Sequence, residues 1–219
     1  MVSSLQTVQP GELAPYVRLL IGLTMLSVIP TVLIAMTSFT RIVVTLSFLR
    51  HALGMPETPP NAVLITLAMF LTFFTMAPTL ERCYADGVAP FLEGKTTPQQ
   101  ALDGSLAPLK TFMAAHVREQ DMTAVSKLAG LPLAQQQTDV SLRVLAPAFM
   151  LSELRAAFTA GFIIFLPFLL IDLIVAAVLM ALGMMMVPPI SISLPLKVML
   201  FVLIDGWSLL LRAIAGAYS

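Results

Sequence analysis

Asp172 and Lys197 are the two residues of this chain best placed to act on each other. Both belong to strongly apolar sequence: from Ala156 to Leu196, forty-one residues carry one charge, Asp172. Within that stretch, Met184-Met185-Met186-Val187 runs into Pro188-Pro189. Two consecutive prolines do not fit a helix interior, so a hairpin tip is expected there. Each charge lies about twelve residues from the tip, and two antiparallel helices bring them to similar depth. A lone charge in such a setting costs roughly 2.5–3.5 kcal/mol on insertion scales, and an opposite partner lowers that cost. Two roles are open: a structural ion pair holding helices or subunits in register, or an ion-coupling site of the kind carriers use. A carrier normally adds repeated spans and an interrupted helix pair, which this sequence does not display. Asp205, in Leu203-Ile204-Asp205-Gly206-Trp207, reads as another buried polar group in need of a backbone or indole partner. Glu153 and Arg155 flank the entrance to the third apolar segment, where pairing at an interface is expected.

The three methionines present a different chemistry. Successive helical positions point about 100° apart, so Met184, Met185 and Met186 do not all face one core. Methionine is flexible and polarisable, and a ring of such tips can close around variable cargo. The plainer reading is an apolar loop buried against neighbours. Catalytic sets are missing from the sequence: there is no phosphate loop, no His-Glu-x-x-His and no Ser–His–Asp set. The two histidines are His51 and His116, and His116 reads as packing beside an apolar helix face. Cys83 is the single cysteine, which excludes an intrachain disulfide and a multi-cysteine metal site. The expectation is a protein that is not an enzyme and uses no cofactor or metal. Twelve basic and twelve acidic residues balance to zero, which gives nucleic acid no electrostatic hold.

The elements that position these groups are helical. Hydrophobic residues make up 58% of 219 residues and charged residues 11%, whereas an ordinary soluble domain has about 25% charged residues. Leu19–Met36 is an uncharged run with Pro30 inside it, where a bend is expected. Nothing basic precedes Arg18 and no small-x-small pattern closes the run, so it reads as a retained anchor rather than a cleavable signal. Ser38–Leu53 is amphipathic, Gly54 is a helix stop, and Thr58-Pro59 reads as cap and first turn of the next helix. Ala62–Leu80 is a second uncharged run. Residues 81–146 hold seven acidic and six basic residues and read as a polar helical subdomain. There Thr97-Pro98-Gln99-Gln100 has capping-box form, and Leu109, Phe112, Met113 and Val117 recur at helical spacing. Val198–Leu211 is too short and too interrupted for a clean span and suggests a re-entrant or buried helix. The fold class expected is an all-α membrane protein. Residues 1–80 form an N-terminal hydrophobic hairpin, 81–146 a polar subdomain, and 147–219 a C-terminal hairpin with a methionine-rich turn. Arg41 and Arg50 against Glu57 place the loop between the first two runs in the cytoplasm, with the methionine tip on that side and the polar subdomain and both termini opposite. Ala157 with Gly161 and Ala177 with Ala181 allow close helix contact, within or between chains. The three intramembrane charges suit burial against other subunits better than lipid on all sides.

These segments resemble the FliP family. Thr37-Ser38-Phe39-Thr40-Arg41-Ile42-Val43-Val44, Leu46 through Gly54, and Thr58-Pro59-Pro60-Asn61 are similar to its N-terminal signature. Phe165 through Leu173, Ala181 through Pro189 and Phe201 through Trp207 follow in family order and spacing, and the resemblance runs from about residue 20 onward. It implies a pore-forming core subunit of the flagellar type III export gate in the bacterial inner membrane, at the flagellar basal body, passing unfolded flagellar subunits. The resemblance further implies a homo-oligomer, a pentamer, joined by FliQ-, FliR- and FlhB-like subunits and raised largely above the bilayer plane. It maps a closing gasket onto Met184, Met185 and Met186, and the family's intramembrane pair onto Asp172 and Lys197. The SctR-type injectisome subunit is the alternative, and an ion-coupled small-molecule carrier stands further off. Ser38-Phe39-Thr40-Arg41 and Pro90-Phe91-Leu92-Glu93-Gly94 resemble the flagellar branch.

Overall fold

A computed structural model describes residues 19–20, 22–24, 27, 30–32, 34–131, 140–184 and 186–218. All regular structure among them is helical. Pro30 is itself helical, and part of the bend expected around it falls on neighbours outside the described residues. The chain turns at Thr37–Ser38, where the Thr40 hydroxyl donates to the Ile34 carbonyl at 2.7 Å and Ser38 Oγ meets Thr75 Oγ1 at 2.6 Å.

Helix α1, Phe39–Ala52, follows that turn. Ile42, Leu46 and Leu49 recur at four and three residues along it, so one stripe is buried. That stripe meets Leu64, Ala68, Phe168, Phe201 and Leu210 from later helices in one apolar core. Gly54 ends the helix at φ +79, with its N–H on the His51 carbonyl and the Met55 N–H on the Arg50 carbonyl. This is the paired closure a left-handed residue makes at a helix end, and glycine adopts it without a Cβ clash.

Helix α2 is Asn61–Cys83, preceded by Pro60 rather than capped by Thr58, so the expected cap sits two residues too early. A π-turn, Tyr84–Val88, and the short α3, Ala89–Leu92, carry it on. Together Asn61–Leu92 is one 32-residue rod, and the apolar run therefore enters the polar segment without a break at residue 81. Helix α4, Pro98–His116, opens on the expected capping box: Thr97 Oγ1 accepts from the Gln100 N–H, and Gln100 Oε1 accepts from the Thr97 N–H. Helix α5, Glu119–Leu128, places Glu119 and Asp121 in its first turn, where the helix dipole favours carboxylates. Phe112, Met113 and Val117 pack with Val144, Leu145 and Phe149 in a second core, with Leu109 at its margin.

Helix α6, Leu142–Ala181, is 40 residues long, about 60 Å at ~1.5 Å per residue. Its first turns pack against α4 and α5 in the second core, and it passes through residue 147 as a single helix. Helix α7, Ile190–Leu203, returns from the tip, and α8, Gly206–Gly216, leaves it at 63°. The break at Ile204–Asp205 thus falls inside Val198–Leu211, and the bent pair has the form of a broken span or of a re-entrant element. Among the described residues, two helices can cross a membrane by length and composition, or up to four if each bent pair is one span.

Candidate functional site: the methionine tip and its ion pair

Helix α6 stops at Gly183, φ +74, whose N–H meets the Met180 carbonyl while the Met184 N–H meets that of Leu179. The same paired closure as at Gly54 throws the following residues out of the helix line. Pro188 and Pro189 then start α7 and deny the chain a helical continuation across the tip. Met184 is 44% exposed and Met186 98% exposed, so both point away from the chain's own core. Met185 lies outside the described residues.

Behind the tip, Lys197 Nζ donates to Asp172 Oδ2 at 2.7 Å. Lys197 is only 3% exposed, while the Asp172 side chain is about one-third open. The ammonium lies beside Gly54, 3.8 Å from where a Cβ there would stand. It therefore sits by the carbonyl end of α1, where a cation is favoured. One contact thus joins α6, α7 and the end of α1. Ser193, one turn before Lys197, is fully buried, and its hydroxyl has no partner among the described residues.

Asp205 is exposed on the single chain and has no side-chain partner among the described residues. It holds φ 49 and ψ 55, the left-handed region, and heads α8 at the bend. Aspartate tolerates that conformation better than most side chains, which accounts for a polar residue there without burial.

Glu153 and Arg155 are also placed differently. Two residues apart on a helix, they point about 200° apart and do not face each other. Glu153 is fully buried and pairs with Arg41 Nη2 at 2.6 Å. Its second oxygen accepts from the Tyr218 hydroxyl. Arg155 instead meets Asp121 at 3.1 Å, and Asp121 also accepts from Ser152 Oγ at 2.8 Å. Ser152 Oγ in turn accepts from the Arg118 N–H at 3.0 Å, closing the start of α5 onto α6. Burial, and next the charge of Glu153, hold the Tyr218 phenol well above its ordinary pKa. Arg41 is thereby a buried-pair residue rather than a loop cation, and Arg50 is committed to the Pro59 carbonyl and Asn61. Both arginines that set the expected orientation are thus engaged within the chain. His116 sits between Phe112 and Tyr218 as packing, its Nδ1 2.8 Å from the Phe112 carbonyl. No group of three or more metal-ligand side chains converges among the described residues.

Sequence reasoning missed Tyr218 and Asp121. The opposed directions of Glu153 and Arg155 were the available signal that each needed a distant partner.

The sequence pattern of the FliP family matches residues 22–214. A Pectobacterium carotovorum subsp. carotovorum protein named "Flagellar biosynthetic protein FliP" is 51% identical over 202 residues, 92% of this chain and 78% of that protein. The Bacillus subtilis (strain 168) protein of that name is 45% identical over 209 residues, 95% of each. The Buchnera aphidicola subsp. Acyrthosiphon pisum (strain APS) protein of that name is 51% identical over 203 residues. This chain spans about half of the Buchnera protein's length, 54%. With nearly all of its length matched in this way, the chain belongs to the FliP family.

Proposed function

We propose that this chain is a pore-forming subunit of the flagellar protein-export apparatus, working in the membrane and passing unfolded flagellar subunits. Its relatives are named as flagellar biosynthetic proteins, which supports the flagellar assignment. It is not an enzyme: its role is to hold and gate a path. In this reading 1–80 is the N-terminal hydrophobic hairpin, 81–146 the polar subdomain and 147–219 the gating hairpin. Copies of the chain assemble, as a pentamer, with FliQ-, FliR- and FlhB-like subunits in the bacterial inner membrane, at the flagellar basal body.

The observation that carries this reading is the exposed methionine tip braced from behind by Asp172 and Lys197. Met186 meets almost nothing of its own chain, so its partners belong to other molecules. Flexible thioethers fit partners of differing shape, as a closure over variable cargo requires. The buried Lys197 fixes α7 against α6 and α1, so the tip stands on a rigid base. The test replaces Met184, Met185 and Met186 by alanine and measures small-ion permeability of membranes holding the assembled complex. Permeability rises if the tips close the pore. Unchanged permeability with normal assembly contradicts the gasket.

A further inference from the structure

The last helix is fixed at its two ends and, in between, along one seam of Leu210 and Ile214 in the first core. At one end, Asp205 is the only described non-glycine residue with positive φ, and the chain bends 63° there. Gly206 follows, where a Cβ would stand 2.1 Å from the Phe201 ring, so α8 presses on α7 at this point. Along α8 the buried residues are Gly206, Leu210 and Ile214, four apart, which is one narrow seam. Trp207, Leu209 and Leu211 face outward.

At the other end Tyr218 enters a different core. Its ring stacks with Phe112, centroids 6.0 Å apart, and the Arg41 guanidinium lies 4.6 Å above its centre. Its hydroxyl donates to Glu153, whose other oxygen is held by Arg41. We propose that α8 is a hinged strap, with Asp205–Gly206 as its hinge and the Tyr218–Glu153 contact as its clasp. Closed, it ties the bent arm of the C-terminal hairpin to α1 and to the helical subdomain. The carboxylate of Glu153 is fully buried, so losing a donor is unfavourable. Arg41 stays on it when Tyr218 leaves, however, so the open state keeps one oxygen satisfied. That combination makes the clasp strong enough to hold and able to release. The inference concerns how α8 is held and stands apart from whether the methionine tip closes a pore.

The test uses the full chain in its assembled membrane complex and hydrogen–deuterium exchange. Tyr218→Phe keeps the ring and its stacking and removes only the hydroxyl. Exchange of the amides in residues 207–217 rises about tenfold, the scale of one lost hydrogen bond to a charged group, while α4 and α5 exchange as before. Arg41→Lys keeps the charge on Glu153 and loses the planar stack, giving a smaller rise in the same segment. This second variant decides the matter if Tyr218→Phe fails to accumulate. Unchanged exchange in α8, or an equal rise across α4, α5 and α8, overturns the clasp.

Discussion

Removing the two partners of the Asp172–Lys197 pair should have unequal consequences. Lys197 is 3% exposed, whereas the Asp172 side chain keeps about a third of its surface open. Asp172→Asn leaves a buried ammonium without its counter-charge, and breaking a buried pair costs about 3–5 kcal/mol. The partial exposure of Asp172 argues for the lower end, about 3 kcal/mol. Lys197→Met leaves a carboxylate that still reaches polar surroundings and replaces a buried charge with a chain of similar length, for about 1 kcal/mol. The double variant has no stranded charge and falls within about 1 kcal/mol of the parent, which corresponds to a coupling of about 3–5 kcal/mol. Trp207 is the only tryptophan, and its ring meets that of Phe201 on α7 at 5.5 Å, so its fluorescence reports this region. Unfolding in mixed micelles titrated with dodecyl sulfate, followed by that fluorescence, gives the four stabilities. Equal losses for the two single variants, or a double variant equal to their sum, refutes the reasoning.

Three further outcomes are measurable by the same unfolding titration. Asp205→Gly leaves stability unchanged or raises it by up to about 1 kcal/mol, while Asp205→Val lowers it by about 1–2 kcal/mol, because a β-branched side chain resists the left-handed backbone. Gly161→Ala places a Cβ 2.4 Å from the Phe48 ring and lowers stability by about 1–3 kcal/mol, unless that ring swings clear without loss. Ser193→Ala removes a buried hydroxyl that has no partner among the described residues, so stability holds or rises by about 1 kcal/mol; a clear loss means the hydroxyl is paired.

Local rules were legible in the sequence where a few adjacent residues decide the geometry. Thr97-Pro98-Gln99-Gln100 capped α4 as expected, Gly54 stopped α1, and the double proline set the tip. The facing of Asp172 and Lys197 followed because one tip and two antiparallel helices leave little freedom in depth. The partners of Glu153 were not legible: Arg41 lies 112 residues away and Tyr218 65, and only tertiary packing joins them. Hydropathy also does not report backbone continuity: one helical run of 32 residues, Asn61–Leu92, passes through residue 81. Helix α6 likewise runs unbroken from Leu142 through residue 147 to Ala181. The left-handed turn that exposes Asp205 on the single chain was not legible either, because neighbouring residue types do not fix a backbone angle.

A photo-crosslinking amino acid at position 186, in cells stalled with a partly exported flagellar subunit, tests the central claim most directly. If the methionine tip lines the export path, residue 186 crosslinks to the stalled chain, while the same probe at Leu128 on the outer surface of α5 does not. An assembled complex in which residue 186 never captures the stalled chain contradicts the account.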